Sequence, residues 1–191
     1  MQNHHKKIKR VIDINLSIVG IISFSPIWLL SILLIKLESP GHIIIRQTRI
    51  GLHSKPFTLY KFRTMRSEAL LYEKSPSQED DSRVTRLGKI LRRYSIDEIP
   101  QFINILKGDM SLVGPRPELP FIVAGYNEEQ RQRLKVKPGL TGLWQISGRK
   151  DIPLQDNLEY DYRYVREQSL KLDLMILFKT IPAVISGRGA Y

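Results

Sequence analysis

Asp97 and Glu98 form an adjacent pair of acids in a strongly basic part of this 191-residue sequence. They precede a predicted helix that begins at Pro100 and ends at Gly108, because proline suits a first helical turn and glycine a C-terminal cap. Acids are common before helices, where they cap backbone N–H groups, so the pair alone is weak evidence of function. The cations of this region outnumber the two carboxylates, which favours a site over a cap. They are Lys61, Arg63, Arg92, Arg93 and Arg116.

Two acids among several cations suit phosphoryl transfer. A carboxylate can attack phosphorus and form an acyl phosphate. Attack on an anionic diphosphate needs charge neutralisation, which Mg²⁺ and arginine supply. Mg²⁺ takes carboxylate oxygens together with substrate phosphates, so it needs no dedicated cage. Arg116 lies between two prolines, a stiff frame that suits a two-bond clamp on a phosphate.

The composition excludes several other chemistries. The chain has no cysteine, which excludes a disulfide scaffold, a thiolate metal site and a cysteine nucleophile. It has no phosphate-binding loop of the Gly-x-x-x-x-Gly-Lys-Ser/Thr type, and Ser111 has no histidine near it in sequence. Lys and Arg number 30 against 19 Asp and Glu, a net charge of +11. Nucleic acid, anionic lipid and phosphorylated small molecules all match that charge.

An apolar segment precedes the basic region. Residues 16–35 carry no charge, and as a helix of about 30 Å they reach across the hydrocarbon core of a bilayer. Pro26 cannot bond the Ile22 carbonyl and kinks the helix, while Ser25 can cap the freed carbonyl. Both flanks are basic, which favours two half-helices that enter and leave by one face. An ordinary kinked transmembrane helix stays as the alternative.

The remaining elements must position the acids and cations. Residues 43–51 and 57–65 predict a β-hairpin whose second strand carries Lys61 and Arg63 on one face. Helices are expected over 85–94 and 121–136, and an apolar helix from Leu170 to Phe178, with Pro182 after it, belongs either to the core or to the bilayer surface. The predicted fold is α+β and mainly helical, with amphipathic interfacial helices. Residues 1–38 form the membrane helix and residues 39–191 the catalytic domain.

Several ordered motifs now make a family resemblance visible. They are Ser25-Pro26, QTRIG at 47–51, YKFRTM at 60–65, SIDEIPQFINILKGDMSLVGPRP at 95–117, KPGLTGLWQISGR at 137–149 and LDLMILFKTI at 172–181. With them the chain resembles the bacterial sugar transferases, and in particular the small monotopic phosphoglycosyl transferases that act on polyprenyl phosphates. The likeness runs from about residue 7 to residue 191, and no motif is broken by a substitution.

The resemblance implies transfer of a phosphosugar from a UDP-sugar to undecaprenyl phosphate with release of UMP. This is the initiating step of glycoconjugate synthesis and runs through a covalent phosphosugar–aspartate intermediate. By position, Asp97 matches the nucleophile and Glu98 its partner, and the two together match the Mg²⁺ site. Ser25 and Pro26 match the break of a re-entrant membrane helix.

Four basic residues are expected to bind the substrate. Arg116 matches a contact to the nucleotide-sugar phosphate, Lys61 and Arg92 match cations of the same site, and Arg63 joins them from the strand of Lys61. The implied partners are a UDP-sugar, undecaprenyl phosphate and the membrane. Nucleic acid is not expected as a partner, and a homo-oligomer is compatible with the resemblance.

The resemblance also implies a place in the cell. The chain would be a minimal catalytic form, monotopic in the cytoplasmic membrane, with its catalytic domain facing the cytoplasm. The basic residues at 6–10 and 46–55 would flank the membrane helix and fix its topology. The alternative function is a membrane-tethered basic protein that binds anionic lipid without catalysis.

Overall fold

A computed structural model describes residues 2–66, 81–148, 154 and 157–187 of the chain. Within them the protein is mainly helical, with two small sheets, as the sequence predicts. The helices are α1 Gln2–Glu38, α2 Arg86–Arg93, α3 Gln101–Lys107, α4 Pro120–Ala124, α5 Leu143–Ser147, α6 Glu159–Glu167 and α7 Leu170–Ser186. The strands are β1 Ile44–Ile50, β2 Pro56–Phe62, β3 Ser111–Val113 and β4 Gly139–Thr141.

The predicted hairpin is confirmed. Strands β1 and β2 pair antiparallel, with Ile44 opposite Phe62 and Ile50 opposite Pro56. A short 3-10 helix, Leu52–Ser54, makes the turn, and the Gly51 N–H donates to the Lys55 carbonyl at 2.9 Å. The hairpin thereby holds Lys61 in a half-buried position near the end of β2.

Helix α1 lies along the rest of the molecule rather than apart from it. The Phe24 ring stacks on Phe102 with 6.4 Å between centroids, and Trp28 meets Phe62 edge-on at 6.1 Å. A Cβ at Gly20 would lie 2.8 Å from the Phe102 ring, so a larger residue there would force the ring to move. The opposite side of α1 is apolar and exposed. It carries Val19, Ile22, Leu29, Leu30, Leu33 and Leu37.

Pro26 lies inside α1, which is assigned as one helix throughout its length. The Ser25 hydroxyl donates to the Ile22 carbonyl at 2.8 Å, the acceptor that Pro26 leaves without its usual N–H. The predicted cap is therefore confirmed. By length and composition α1 is also long and apolar enough to cross a membrane.

The N-terminal end of α1 is fastened to the body by polar bonds. Lys9 donates to Asp173 on α7 at 2.8 Å, and Arg10 donates to the Leu106 carbonyl at 2.8 Å. The buried carboxylate of Asp13 accepts from the Leu112 N–H at 3.0 Å. Lys9 and Arg10 therefore do more than flank an apolar segment, because each bonds a specific group of the fold.

Arg63 fastens the other end of α1. Its guanidinium donates to the Ser39 carbonyl at 2.6 Å and to the Ile35 carbonyl at 3.3 Å. The last carbonyls of a helix have no partner within the helix, so a buried arginine at this position acts as a C-terminal cap. Strand β2 ends at Phe62, so the alternation that predicts a shared face for Lys61 and Arg63 does not extend to Arg63. Arg63 contacts the end of α1 instead.

The prediction of one helix over 121–136 is wrong. Instead, α4 stops at Ala124, and a separate 3-10 helix covers Gln130–Lys135. Between them the Asn127 side chain accepts from the Gln130 N–H, and the Gln130 side chain accepts from the Asn127 N–H, both at 2.9 Å. This reciprocal pair starts a new turn and prevents a continuous helix.

Helix α7 belongs both to the core and to the surface. Asp173 and Ile176 are buried, whereas Leu174, Phe178, Ile181 and Ile185 are exposed. Pro182, expected after the helix, lies within it. One face of α7 therefore packs on the core, and the other is an exposed apolar strip.

Strands β3 and β4 form a parallel pair in the centre of the protein. Gly139 and Gly114 meet so closely that a Cβ on Gly139 would lie 2.1 Å from the Gly114 nitrogen. The Gly139 N–H donates to the Pro115 carbonyl at 2.9 Å. This contact fixes the segment that follows β3, which carries Arg116, against the segment that leads into α5.

Candidate active site

One cavity of about 380 Å³ collects most of the residues singled out in the sequence. Asp97 and Glu98 line it together with Lys61, Arg92 and Arg116. These five residues come from four separate parts of the chain, and the fold brings them to one place. Arg63, as described above, caps α1 instead and is absent from the lining.

A tight turn presents the acid pair. Asp97 and Glu98 lie in a 3-10 helix, Ile96–Glu98, and Ser95 before it takes a left-handed conformation with φ of 54°. A non-glycine residue in this region is strained, and such strain is often found at functional sites. Pro100 is the N-cap of α3, and Gly108 is its C-cap with φ of 90°, so the helix that the sequence predicts is confirmed.

Burial makes the Asp97 carboxyl less acidic. Loss of solvent, helped by the neighbouring Glu98, raises the pKa of Asp97 to about 6, although Arg92, Lys61 and Arg116 oppose the shift. A carboxyl with this pKa is largely ionised at neutral pH and is a stronger base than an exposed aspartate. Both properties suit a nucleophile.

Arg116 is held by bonds at both its ends. Its guanidinium donates to Glu98 at 2.9 Å, and this neighbour raises the pKa of Arg116. Its backbone carbonyl accepts from the buried Arg133 at 2.7 Å. Arg133 in turn forms an ion pair of 2.7 Å with Asp161, and both side chains are almost fully buried. The buried ion pair of Arg133 and Asp161 thus fixes the backbone of Arg116, the arginine expected to bind the substrate phosphate.

Lys61 and Arg92 complete the cationic wall. Burial, together with the charge of Arg49, lowers the pKa of Lys61 to about 8. The Arg92 guanidinium donates to the Thr64 hydroxyl at 2.8 Å, and burial lowers its pKa as well. A lysine with this pKa loses part of its positive charge just above neutral pH.

Sequence reasoning missed Arg49, which it placed among the cations flanking the membrane helix. The structure corrects this: Arg49 is buried and lines the cavity. It donates to the Gln47 side chain at 2.7 Å and to the Pro117 carbonyl at 3.3 Å, and burial lowers its pKa to about 10. Its place within the QTRIG motif was the signal available in the sequence.

The donor set suits a hard cation that also binds the substrate. Among the described residues that line the cavity, Asp97 and Glu98 are the acids, and the described part of the chain holds no cluster of three or more ligating side chains. Mg²⁺ is commonly held by one or two carboxylates plus substrate phosphates. The pair therefore fits Mg²⁺ beside a diphosphate and does not fit a metal cage built by the protein alone.

The other side of the cavity is apolar. Phe24 and Ile27 reach it from α1, and Leu177 and Val184 reach it from α7. These are the two helices whose outer faces are exposed and apolar. The cavity thus joins a charged wall to an apolar wall that adjoins the apolar surface of the protein.

Comparison with known proteins agrees with this arrangement. A sequence model described as bacterial sugar transferase matches residues 4–187. The exopolysaccharide production protein ExoY of Sinorhizobium fredii is 41% identical over 198 residues, which cover 96% of this chain and 88% of that protein.

Two further relatives have names that state a reaction. A UDP-N-acetylgalactosamine-undecaprenyl-phosphate N-acetylgalactosaminephosphotransferase of Aeromonas hydrophila is 42% identical over 189 residues, 96% of this chain and 45% of that protein. A UDP-glucose:undecaprenyl-phosphate glucose-1-phosphate transferase of Escherichia coli is 39% identical over 199 residues, 98% of this chain and 42% of that protein. The chain spans less than half the length of these two.

Proposed function

Because the chain belongs to the bacterial sugar transferase family, we propose that it transfers a sugar phosphate from a UDP-sugar to undecaprenyl phosphate and releases UMP. The observation that carries the proposal is Asp97, a half-buried and desolvated carboxylate between a cationic wall and an apolar wall. The cationic wall suits the diphosphate of the donor, and the apolar wall suits the lipid of the acceptor. The two relatives named above for this reaction support the same choice.

In the first step the ionised Asp97 attacks the phosphorus that bears the sugar. A bond forms between the carboxylate oxygen and phosphorus, and the bond from that phosphorus to the bridging oxygen breaks. The electron pair leaves with UMP, where Arg116 and Lys61 offset the developing negative charge. Mg²⁺ held by Asp97, Glu98 and the substrate phosphates would supply further neutralisation.

In the second step a phosphate oxygen of the lipid attacks the same phosphorus. The bond from phosphorus to the Asp97 oxygen breaks, and the carboxylate is regenerated. The acceptor phosphate enters from the side of Phe24 and Leu177, where α1 and α7 provide the apolar wall. Each step displaces one group on phosphorus, so donor and acceptor need not be bound together.

The test uses the full chain in detergent or nanodiscs, with a panel of UDP-sugars and Mg²⁺. Without acceptor, we expect one UMP per active chain and a covalent adduct of the sugar phosphate by intact mass. Asp97→Asn should lose both the adduct and turnover. Asp109→Asn is the matched control, because Asp109 lies outside the cavity lining. Normal turnover by Asp97→Asn refutes the role of Asp97 as nucleophile. Absence of UMP release from the wild type, with binding to anionic lipid that Asp97→Asn leaves unchanged, would instead identify a membrane-tethered binding protein.

We propose further that α1 is re-entrant, with both ends on the cytoplasmic side. Its N-terminal part bonds to Asp173 and Leu112, and its C-terminal end bonds to Arg63. A helix from Lys9 to Ser39 that crossed the bilayer would hold these ends about 45 Å apart on opposite sides. One compact domain that bonds both ends supports a helix that returns to the side it entered.

The topology can be tested with single cysteines, because the chain has none of its own. Cysteines are placed at Lys6 and at Lys36, near the two ends of α1, in intact cells. A membrane-impermeant maleimide should label neither from outside and both after the cytoplasmic face is opened. Labelling of one position from outside refutes the re-entrant helix and leaves the proposed reaction untouched.

A further inference from the structure

Gln145 presents a buried amide that the fold leaves without a partner. It lies on α5 and lines the active-site cavity, with 7% of its surface exposed. Neither its Oε1 nor its Nε2 has a hydrogen-bond partner in the described part of the chain. Buried amides are nearly always satisfied, because an unpaired one forfeits its bonds to water. An amide left open in a cavity therefore points to a ligand.

The backbone makes room for this amide. A Cβ at Gly142 would lie 2.8 Å from the Gln145 Oε1 and 2.4 Å from the Gly114 carbonyl oxygen. The Gly114 N–H also donates to the Thr141 carbonyl at 2.9 Å. The amide therefore stands beside the segment that carries Arg116, which we assign to the diphosphate. The groups that flank the diphosphate of the donor are the sugar on one side and the nucleoside on the other.

The surroundings of the amide favour the base over the sugar. Leu140 and Trp144 line the same cavity. The Thr141 and Thr180 hydroxyls of that lining bond each other at 2.7 Å, so the amide of Gln145 stands in a wall whose other groups are apolar or already paired. A sugar presents hydroxyl groups around its whole rim and needs several polar partners. A pyrimidine has apolar faces and one polar edge, which a single amide within an apolar wall can satisfy.

The geometry of the groups gives the same answer. A primary amide holds its N–H and C=O side by side, as does the imide edge of uracil, so the two form a closed pair of hydrogen bonds. The acetamido group of a sugar points its N–H and C=O in opposite directions, and one amide cannot bind both. We propose that Gln145 binds the imide edge of uracil in the donor nucleotide, an assignment that rests on the proposed function.

The experiment measures UMP binding by calorimetry with Mg²⁺ and the full chain. Gln145→Met keeps the length of the side chain and removes both polar atoms. We expect its dissociation constant for UMP to rise about 10- to 100-fold, as for the loss of two hydrogen bonds. Ribose-5-phosphate, which has no base, should bind both proteins equally. A UMP analogue that carries a methyl group on the imide nitrogen should bind the wild type weakly. The variant should bind that analogue with the same affinity as the wild type does.

A second measurement separates a ligand contact from a structural role. Since the amide is unpaired without ligand, Gln145→Met should keep or raise the melting temperature of the free protein. A lowered melting temperature together with equal losses for UMP and ribose-5-phosphate overturns the inference. An unchanged UMP affinity with a raised KM for the UDP-sugar also overturns it, since the contact would then be to the sugar. Failure of the wild type to bind any uridine nucleotide refutes the proposed function itself.

Discussion

Lys61→Arg tests the electrostatics of the site through the pH dependence of the reaction. In the wild type, Asp97, whose pKa is about 6 in the protein free of metal and substrate, must be ionised to attack, and Lys61 with a pKa of about 8 must be protonated to hold the diphosphate. The rate should therefore be bell-shaped in pH, with its maximum near pH 7. About nine-tenths of each group is in its active form at that pH.

The size of the effect follows from the two pKa values. At pH 5 about one-tenth of Asp97 is ionised, and at pH 9 about one-tenth of Lys61 is protonated, so the rate falls about tenfold at each limit. Arginine stays charged over this range. Lys61→Arg should therefore lose the alkaline fall and keep the acid one. Lys61→Met removes a charge that lowers the pKa of Asp97, so its acid fall should move to higher pH.

The assay is the initial rate of UMP release at low UDP-sugar, from pH 5 to 9.5 at constant ionic strength. In a two-step scheme, kcat/KM for the donor reports the first step alone, so titration of the lipid phosphate does not enter. Melting temperatures of all three proteins, measured across the same range, exclude unfolding as the cause. An alkaline fall near pH 8 that persists in Lys61→Arg refutes the reasoning.

Two further predictions concern residues that support the site. Arg133→Leu leaves Asp161 buried and unpaired, which should lower the free energy of unfolding by about 3–5 kcal/mol in a urea titration. It should also weaken donor binding, because Arg133 holds the Arg116 carbonyl. Arg63→Met should lower the melting temperature by freeing the Ser39 carbonyl at the end of α1. It should leave KM for the UDP-sugar unchanged, and a KM raised tenfold or more would restore Arg63 to the substrate site.

Local rules were enough for features whose causes lie close together in sequence. Pro100 and Gly108 bound a helix by their own backbone preferences, and Ser25 reaches the carbonyl that Pro26 leaves free. The hairpin follows from alternation and a turn. The gathering of Asp97 with its cations was expected from the excess of positive charge and from the ordered motifs, since no spacing rule joins such distant segments.

The errors arose where a pattern was extended beyond its element or where tertiary contacts decided. The prediction extended the alternation of side chains along β2 to Arg63, which lies one residue past the end of the strand. Arg49 was counted among flanking charges because sequence alone does not show which side chains of a hairpin are buried. Gln145 lies within the KPGLTGLWQISGR motif at 137–149, but the motif does not distinguish it from its neighbours, since an unpaired amide is recognised only once its surroundings are known.

The bond between Lys9 and Asp173 joins residues 164 positions apart, and Asp13 reaches Ser111 across 98 positions. Contacts of such long separation form late, because the intervening loop must close first. During synthesis α1 therefore leaves the ribosome long before its partners exist, and its apolar surface is uncovered by protein meanwhile. On the proposed membrane placement of α1, we expect insertion to precede the folding of the cavity. A fragment that begins after α1 would lose the Lys9 partner of Asp173 and the Ile35 carbonyl bonded by Arg63. It would also uncover Phe102 and Phe62, which Phe24 and Trp28 of α1 contact, so it should be less stable than the full chain.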